Sequence, residues 1–227
     1  MTQQSLNRWH SLSSQDEINQ AAVTRILQAA EEAIQQQGSF YIVLAGGSTP
    51  KAVYQLLTQQ QADWEKWHIF YNDDRCLPVD HDERNSKMAR EAWLNHVTIP
   101  ENQIHDIPAE LGNIEGAKAY AETLKHVRTF DLVILGLGED GHTASLFPNQ
   151  TVDNSADAVA VFDAPKPPAN RITISQARLN NTKEVMFLVT GASKQDAVNQ
   201  WRKGEPIPAT LITGQNGADI YCFGVNI

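Results

Sequence analysis

The apolar run Phe130-Asp131-Leu132-Val133-Ile134-Leu135 stops in glycines at 136, 138 and 141, and the same segment delivers Asp140-Gly141-His142. Such a run, with β-branched members, reads as a buried parallel strand, and open α/β sheets bind ligands beyond the carboxyl ends of their strands. His142 therefore stands where a catalytic histidine is expected, with Asp140 placed to hydrogen-bond the imidazole or to hold the loop. Glycine permits the tight backbone turn and the close ligand approach that such a corner needs. The Gly-x-Gly-x-x-Gly spacing also fits a dinucleotide loop, but that loop runs on into a long helix and an acidic residue about 20 positions later. Here Leu146-Phe147-Pro148-Asn149 breaks the helix early, which favours a polar catalytic site over a nicotinamide site or a plain turn.

Three further groups of residues have chemical potential. Gly46-Gly47-Ser48-Thr49-Pro50 has the make-up of an anion cradle, with two small residues, two hydroxyls and a helix starting at Pro50 that directs free N–H groups outward. Phosphate or carboxylate would fit; the competing reading is an ordinary helix start with Thr49 as its cap. The nucleotide pattern GxxxxGK[ST] is absent. Asn72-Asp73-Asp74-Arg75 follows a second strand: the aspartates suit acid/base or hydroxyl-binding work and Arg75 suits an anion. A solvated acidic loop describes residues 80–84 better than 73–75. No tight His/Cys spacing turns these carboxylates, with His81 or His142, into a metal site. Arg171, opening a strand, and Lys194, after a strand-ending glycine, are placed to reach a shared pocket.

The elements that must carry these residues alternate. Between residues 13 and 37 the near-helical spacing of Ile18, Ala21, Ala22, Ile26, Ala29, Ala30 and Ile34 predicts an amphipathic helix ending near Gly38, and Ser14-Gln15-Asp16-Glu17 has the form of a capping box. Strands are expected at 40–45, 67–71, 131–135, 158–162, 171–174, 185–189 and 220–225, and further helices at 50–57, 86–94, 114–127 and 194–201. This order predicts an α/β fold: one domain over residues 1–227, an open and mainly parallel sheet with helices on both faces. The proline-rich 164–169 reads as a stiff surface loop.

Composition narrows the partners. The net charge of −9 argues against nucleic acid as a bulk partner while leaving room for a small anion in a local basic pocket. Cys76 and Cys222 lie far apart without a CxxC spacing, so reduced thiols are expected. The first residues lack an apolar signal core and no stretch approaches the ~18 apolar residues of a membrane span. A soluble cytoplasmic protein, monomeric or weakly self-associating, is the expectation.

Taken in order, LAGGSTP at 44–50, DDR at 73–75, GLGEDGHTASLFP at 136–148 and the later RITIS and LVTGASK segments resemble the 6-phosphogluconolactonases. That family sits with the glucosamine-6-phosphate deaminases/isomerases in a broader sugar-phosphate group, and the match spans about residues 40–200. The resemblance implies a Rossmann-like fold and cofactor-free hydrolysis of 6-phospho-D-glucono-1,5-lactone to 6-phosphogluconate in the pentose phosphate pathway. It makes His142 the general base, Asp140 its orienting partner, and Arg75 the group that stabilises developing charge or fixes substrate. Gly46, Gly47, Ser48 and Thr49 become the substrate loop, Asp73 a substrate-binding carboxylate, and Arg171 and Lys194 cations near the phosphate. Asp74 stands where the family has Glu. Ser145 follows no Gly-x-Ser-x-Gly elbow, so direct attack by water is preferred to a covalent serine route. A deaminase, with Asp73 as base, is the alternative implied; its usual His-Ile-Ala-Phe-Asn-Glu-Pro is replaced here by His142-Thr143-Ala144-Ser145-Leu146-Phe147-Pro148. A non-catalytic sugar-phosphate-binding regulator would need a DNA-binding module, and nothing before Phe40 has a basic helix-turn-helix.

Overall fold

The structure, a computed structural model, describes residues 7–227. Helix α1 (Gln15–Gln37) starts as its sequence directs: the Ser14 side chain accepts from the Glu17 N–H, and Gly38 closes the helix at φ 84° with its N–H on the Ile34 carbonyl. The return bond of the expected capping box falls one residue early, because Glu17 accepts from the N–H and hydroxyl of Ser13. The buried stripe Ile18, Ala22, Ile26, Ala29, Ala30 and Ala33 faces the core.

Six parallel strands form the main sheet in the order β1 (Asn7–Ser11), β9 (Ala218–Phe223), β8 (Thr182–Thr190), β5 (Phe130–Gly136), β2 (Phe40–Leu44), β3 (Trp67–Tyr71). Helices flank it: α1, α2 (Ser48–Leu57), α3 (Asn85–Ala92), α4 (Asn113–Leu124), α5 (Gln176–Asn180) and α6 (Gln195–Lys203). The first six residues of β5 are all buried, as an interior parallel strand requires. Chain order reverses at β2, which has β3 on one side and β5 on the other, so the crevice between the carboxyl ends of β2 and β5 is the topological switch point.

Two features depart from expectation. A second, antiparallel sheet of β4 (Asp73–Arg75), β7 (Arg171–Ile174) and β6 (Ala158–Val161) stands beside the carboxyl ends of the main one. Parallel pairing therefore describes the six-stranded sheet only, and the DDR segment, expected at the end of a strand, is a short strand of its own. Helix α2 begins at Ser48 with Gly47 as its cap residue, so neither the start at Pro50 nor the cap role for Thr49 holds. The φ of 106° at Gly47 is one that a β-carbon disfavours, and it is what allows the helix to begin immediately after the strand. Among the described residues no helix is long and apolar enough to cross a membrane.

Candidate active site

Residues from the ends of β2, β3, β5 and β7 and the segment after β8 enclose a cleft of about 330 Å³ at the switch point. Gly46, Gly47, Asp73, Arg75, His142, Arg171 and Lys194 line it together. A larger hollow of about 770 Å³ between α4 and residues 151–162 brings no histidine or arginine together and lies away from these strand ends. Among the described residues no three His, Cys, Asp or Glu side chains are grouped as a metal ion requires.

The His142 corner is built by its glycines. Gly138 donates its N–H to the His142 carbonyl at 2.8 Å, and Gly141 donates to the Gly138 carbonyl at 3.0 Å, closing a turn in which Gly141 has φ 84°. The imidazole folds back over Gly138 so closely that a β-carbon there would lie 1.9 Å from Nδ1, which no larger residue permits. Nδ1 lies 2.5 Å from Asp140 Oδ1, and the same oxygen accepts the His142 N–H at 3.2 Å. Partial burial works against the Asp140 charge, but the bonds from His142 prevail and hold its carboxyl below the ordinary range. A carboxylate only accepts, so Nδ1 carries the proton, and in the neutral ring this leaves the lone pair on Nε2. The ring also packs against Phe147, with centroids 4.8 Å apart.

Asp73 and Asp74 diverge although adjacent. Asp73 borders the cleft from a buried position, its Oδ2 accepting from Ser145 Oγ at 2.5 Å and its Oδ1 from Asn85 Nδ2 at 2.9 Å. Burial pushes its carboxyl above the ordinary range, against the pull of Arg75, Ser145 and Arg171. Asp74 is fully buried outside the cleft lining. It accepts from the N–H groups of Asn85 and Ser86 at 2.8 and 3.3 Å, capping α3, and from Arg84 Nε at 2.9 Å. That position therefore holds the fold of the corner. Arg75 donates from Nη1 to the Glu83 carbonyl at 2.5 Å, while its Nε, buried in the cleft wall, has no protein partner.

The hydroxyls of the glycine loop do not converge as expected. Ser48 is exposed and Thr49 Oγ1 pairs with Thr190 Oγ1 at 2.8 Å, tying α2 to the end of β8, and neither borders the cleft. Gly46 and Gly47 do, and the first-turn N–H groups of α2 have no intrahelical acceptor. A β-carbon on Gly46 would lie 2.0 Å from Asn85 Oδ1, so glycine is needed for Asn85 to reach the cleft. Asn72, Asn85 and Lys166 also line it. No sequence signal marked Asn85, which sits at a helix start far from any motif, whereas Asn72 directly precedes the DDR strand and Lys166 lies in the proline-rich segment.

Fold and site together define an α/β protein with a polar strand-end pocket that pairs a carboxylate-oriented histidine with a convergence of cations. The chain belongs to the glucosamine-6-phosphate isomerases/6-phosphogluconolactonase family, whose model matches residues 13–221. It is 41% identical over 178 residues to a 6-phosphogluconolactonase of Synechocystis, covering 74% of each chain, and 40% identical over 194 residues to that of Mycobacterium tuberculosis, covering 78% of each. The crystal structure of 6-phosphogluconolactonase from Thermotoga maritima superposes with a TM-score of 0.90 at 27% identity, covering 95% of this chain and 99% of that one.

Proposed function

We propose that this chain is a 6-phosphogluconolactonase, hydrolysing 6-phospho-D-glucono-1,5-lactone to 6-phosphogluconate in the pentose phosphate pathway. Family membership and about 40% identity to lactonases over most of the chain support the reaction. The observation that carries the mechanism is the Asp140–His142 pair at the switch point, with Nε2 left free to act as a base. Nε2 takes a proton from water as its oxygen attacks the lactone carbonyl, and Asp140 stabilises the imidazolium that forms. The carbonyl oxygen gains negative charge, and the unpartnered Nε–H of Arg75 is the donor for it or for a neighbouring substrate oxygen. The proton then passes from imidazolium to the departing ring oxygen as the ring opens. Gly46, Gly47 and the start of α2, with Lys194 in the same cleft lining, provide N–H groups and charge for the phosphate. Asp73, fixed by Ser145 and Asn85, meets substrate hydroxyls.

A paired assay tests the reading. Freshly made 6-phosphogluconolactone is consumed above its spontaneous rate, and glucosamine 6-phosphate releases no ammonia. Ammonia release without lactone hydrolysis would overturn it in favour of a deaminase.

A further inference from the structure

Arg171, expected from sequence to meet a phosphate, lines the cleft but turns most of its donors to backbone. Its Nε donates to the Pro168 carbonyl at 3.2 Å, and its Nη2 donates to the carbonyls of Lys166 and Pro167, both at 3.0 Å. Nη1 lies 3.9 Å from Asp73 Oδ2, and only 7% of the side chain is exposed. Phe147 lies beneath the guanidinium at 5.7 Å. Three carbonyls gathered on one buried planar cation fix a segment that has no regular structure of its own and that is otherwise closed by the Ala164 N–H on the Ala169 carbonyl at 2.9 Å.

What this segment carries into the cleft wall is Lys166, beside Pro167, in a lining that also holds Arg75 and Lys194. Among the described residues no carboxylate lies within ion-pair distance of the Lys166, Lys194 or Arg75 cations. Arg171 gives Nε and Nη2 to backbone carbonyls and keeps only Nη1 without a hydrogen bond, whereas Lys166, exposed at the cleft wall, has three uncommitted N–H groups. We infer that Arg171 is a positioning residue whose work is to seat residues 166–168 against the cleft, and that Lys166 is the cation this seating delivers to a bound phosphate dianion. The inference deepens the sugar-phosphate reading of the same site and rests on it.

Binding of inorganic phosphate, measured by calorimetry on the intact chain, tests the assignment apart from turnover. Lys166→Gln is expected to weaken phosphate about tenfold, the scale of one charge-assisted hydrogen bond, and Lys166→Arg to restore most of it. Arg171→Lys keeps the charge but loses the fork that holds three carbonyls, so it too weakens phosphate. Because it acts through Lys166, the double variant is expected to be no worse than Lys166→Gln alone. Wild-type affinity in Lys166→Gln overturns the role of Lys166, and additive losses return Arg171 to direct phosphate contact. If Arg171→Lys does not fold, the Lys166 pair still decides. Phosphate bound as described by a protein that leaves the lactone untouched would sink the lactonase reading and not this one; a wild type that binds no phosphate would sink this one.

Discussion

Two aspartate corners stand beyond the carboxyl ends of β5 and β3, the strands on either side of β2, and water separates their work. At the end of β5, Asp140 keeps 38% of its side chain exposed and holds one partner, an imidazole that borders the cleft. At the end of β3, Asp74 is wholly buried and holds the N-terminus of α3 and the Arg84 guanidinium, itself 1% exposed and also bonded to the carbonyls of Leu77 and Ile107. A carboxylate with spare accessible surface is free to serve a reaction, and one with every acceptor occupied serves the fold. Between them lies Asp73, buried like Asp74 yet lining the cleft like His142.

The sharpest way to break this contrast is at its reactive end. His142→Ala is expected to lower lactone turnover by about 10²- to 10⁴-fold, the usual contribution of a positioned acid/base group, with the unfolding midpoint unchanged. Turnover within a few-fold of wild type would remove His142 from the reaction. At the structural end, Asp74→Ala uncaps α3 and leaves the buried Arg84 with only the longer Glu110 pair at 3.4 Å, and is expected to cost about 3 kcal/mol in urea unfolding. Unchanged stability with lost turnover would instead place Asp74 with the reacting groups. Asp140→Asn tests the intermediate case: losing the acceptor that fixes the Nδ1 proton should reduce kcat roughly 10- to 100-fold while leaving KM nearly constant. A change confined to KM would make Asp140 a substrate contact.

The smallest effect lies outside both corners. His105 packs between Phe70 and His68, and burial, reinforced by the His68 charge, pushes its imidazole down to about 4. Between about 6.5 and about 4 the unfolded chain binds a proton that the folded chain refuses, so stability falls as pH falls through that window. Both rings keep part of their surface in water, which keeps the effect modest. Comparing urea midpoints at pH 7 and pH 4.5 for wild type and His105→Gln checks it: the variant should lose less on acidification, and an equal loss would assign the acid sensitivity to other groups.

Much of this was legible before any coordinates, for a physical reason. Strands β2 and β5 are interior parallel strands, which forces nearly continuous apolar runs, and α1 carries an apolar stripe at helical spacing. The His142 corner is local: ring, carboxylate and glycines lie within five residues of each other, so spacing alone exposed it. The Asp73–Asp74 corner is not local. Its charges look solvated until Arg84, Asn85, Ser145 and Arg171 arrive from distant segments. β1, with the polar sequence NRWHS, gives no strand signal of its own and is held by its register along β9. Thr49 misled for the opposite reason: its hydroxyl suits an anion, but Thr190 reached it first.

The bonds of Ser145 give the loop that presents His142 a further property. Its hydroxyl donates to Asp73 and its N–H to Thr173 Oγ1 at 3.3 Å, and both partners belong to the small antiparallel sheet, while the loop itself leaves the large parallel one. The segment is therefore not a modular cassette. Grafting Gly136–Pro148 onto another parallel sheet would transfer the histidine and its glycines but not the two anchors, which lie in a sheet that adjoins this corner in space and is remote from it along the chain.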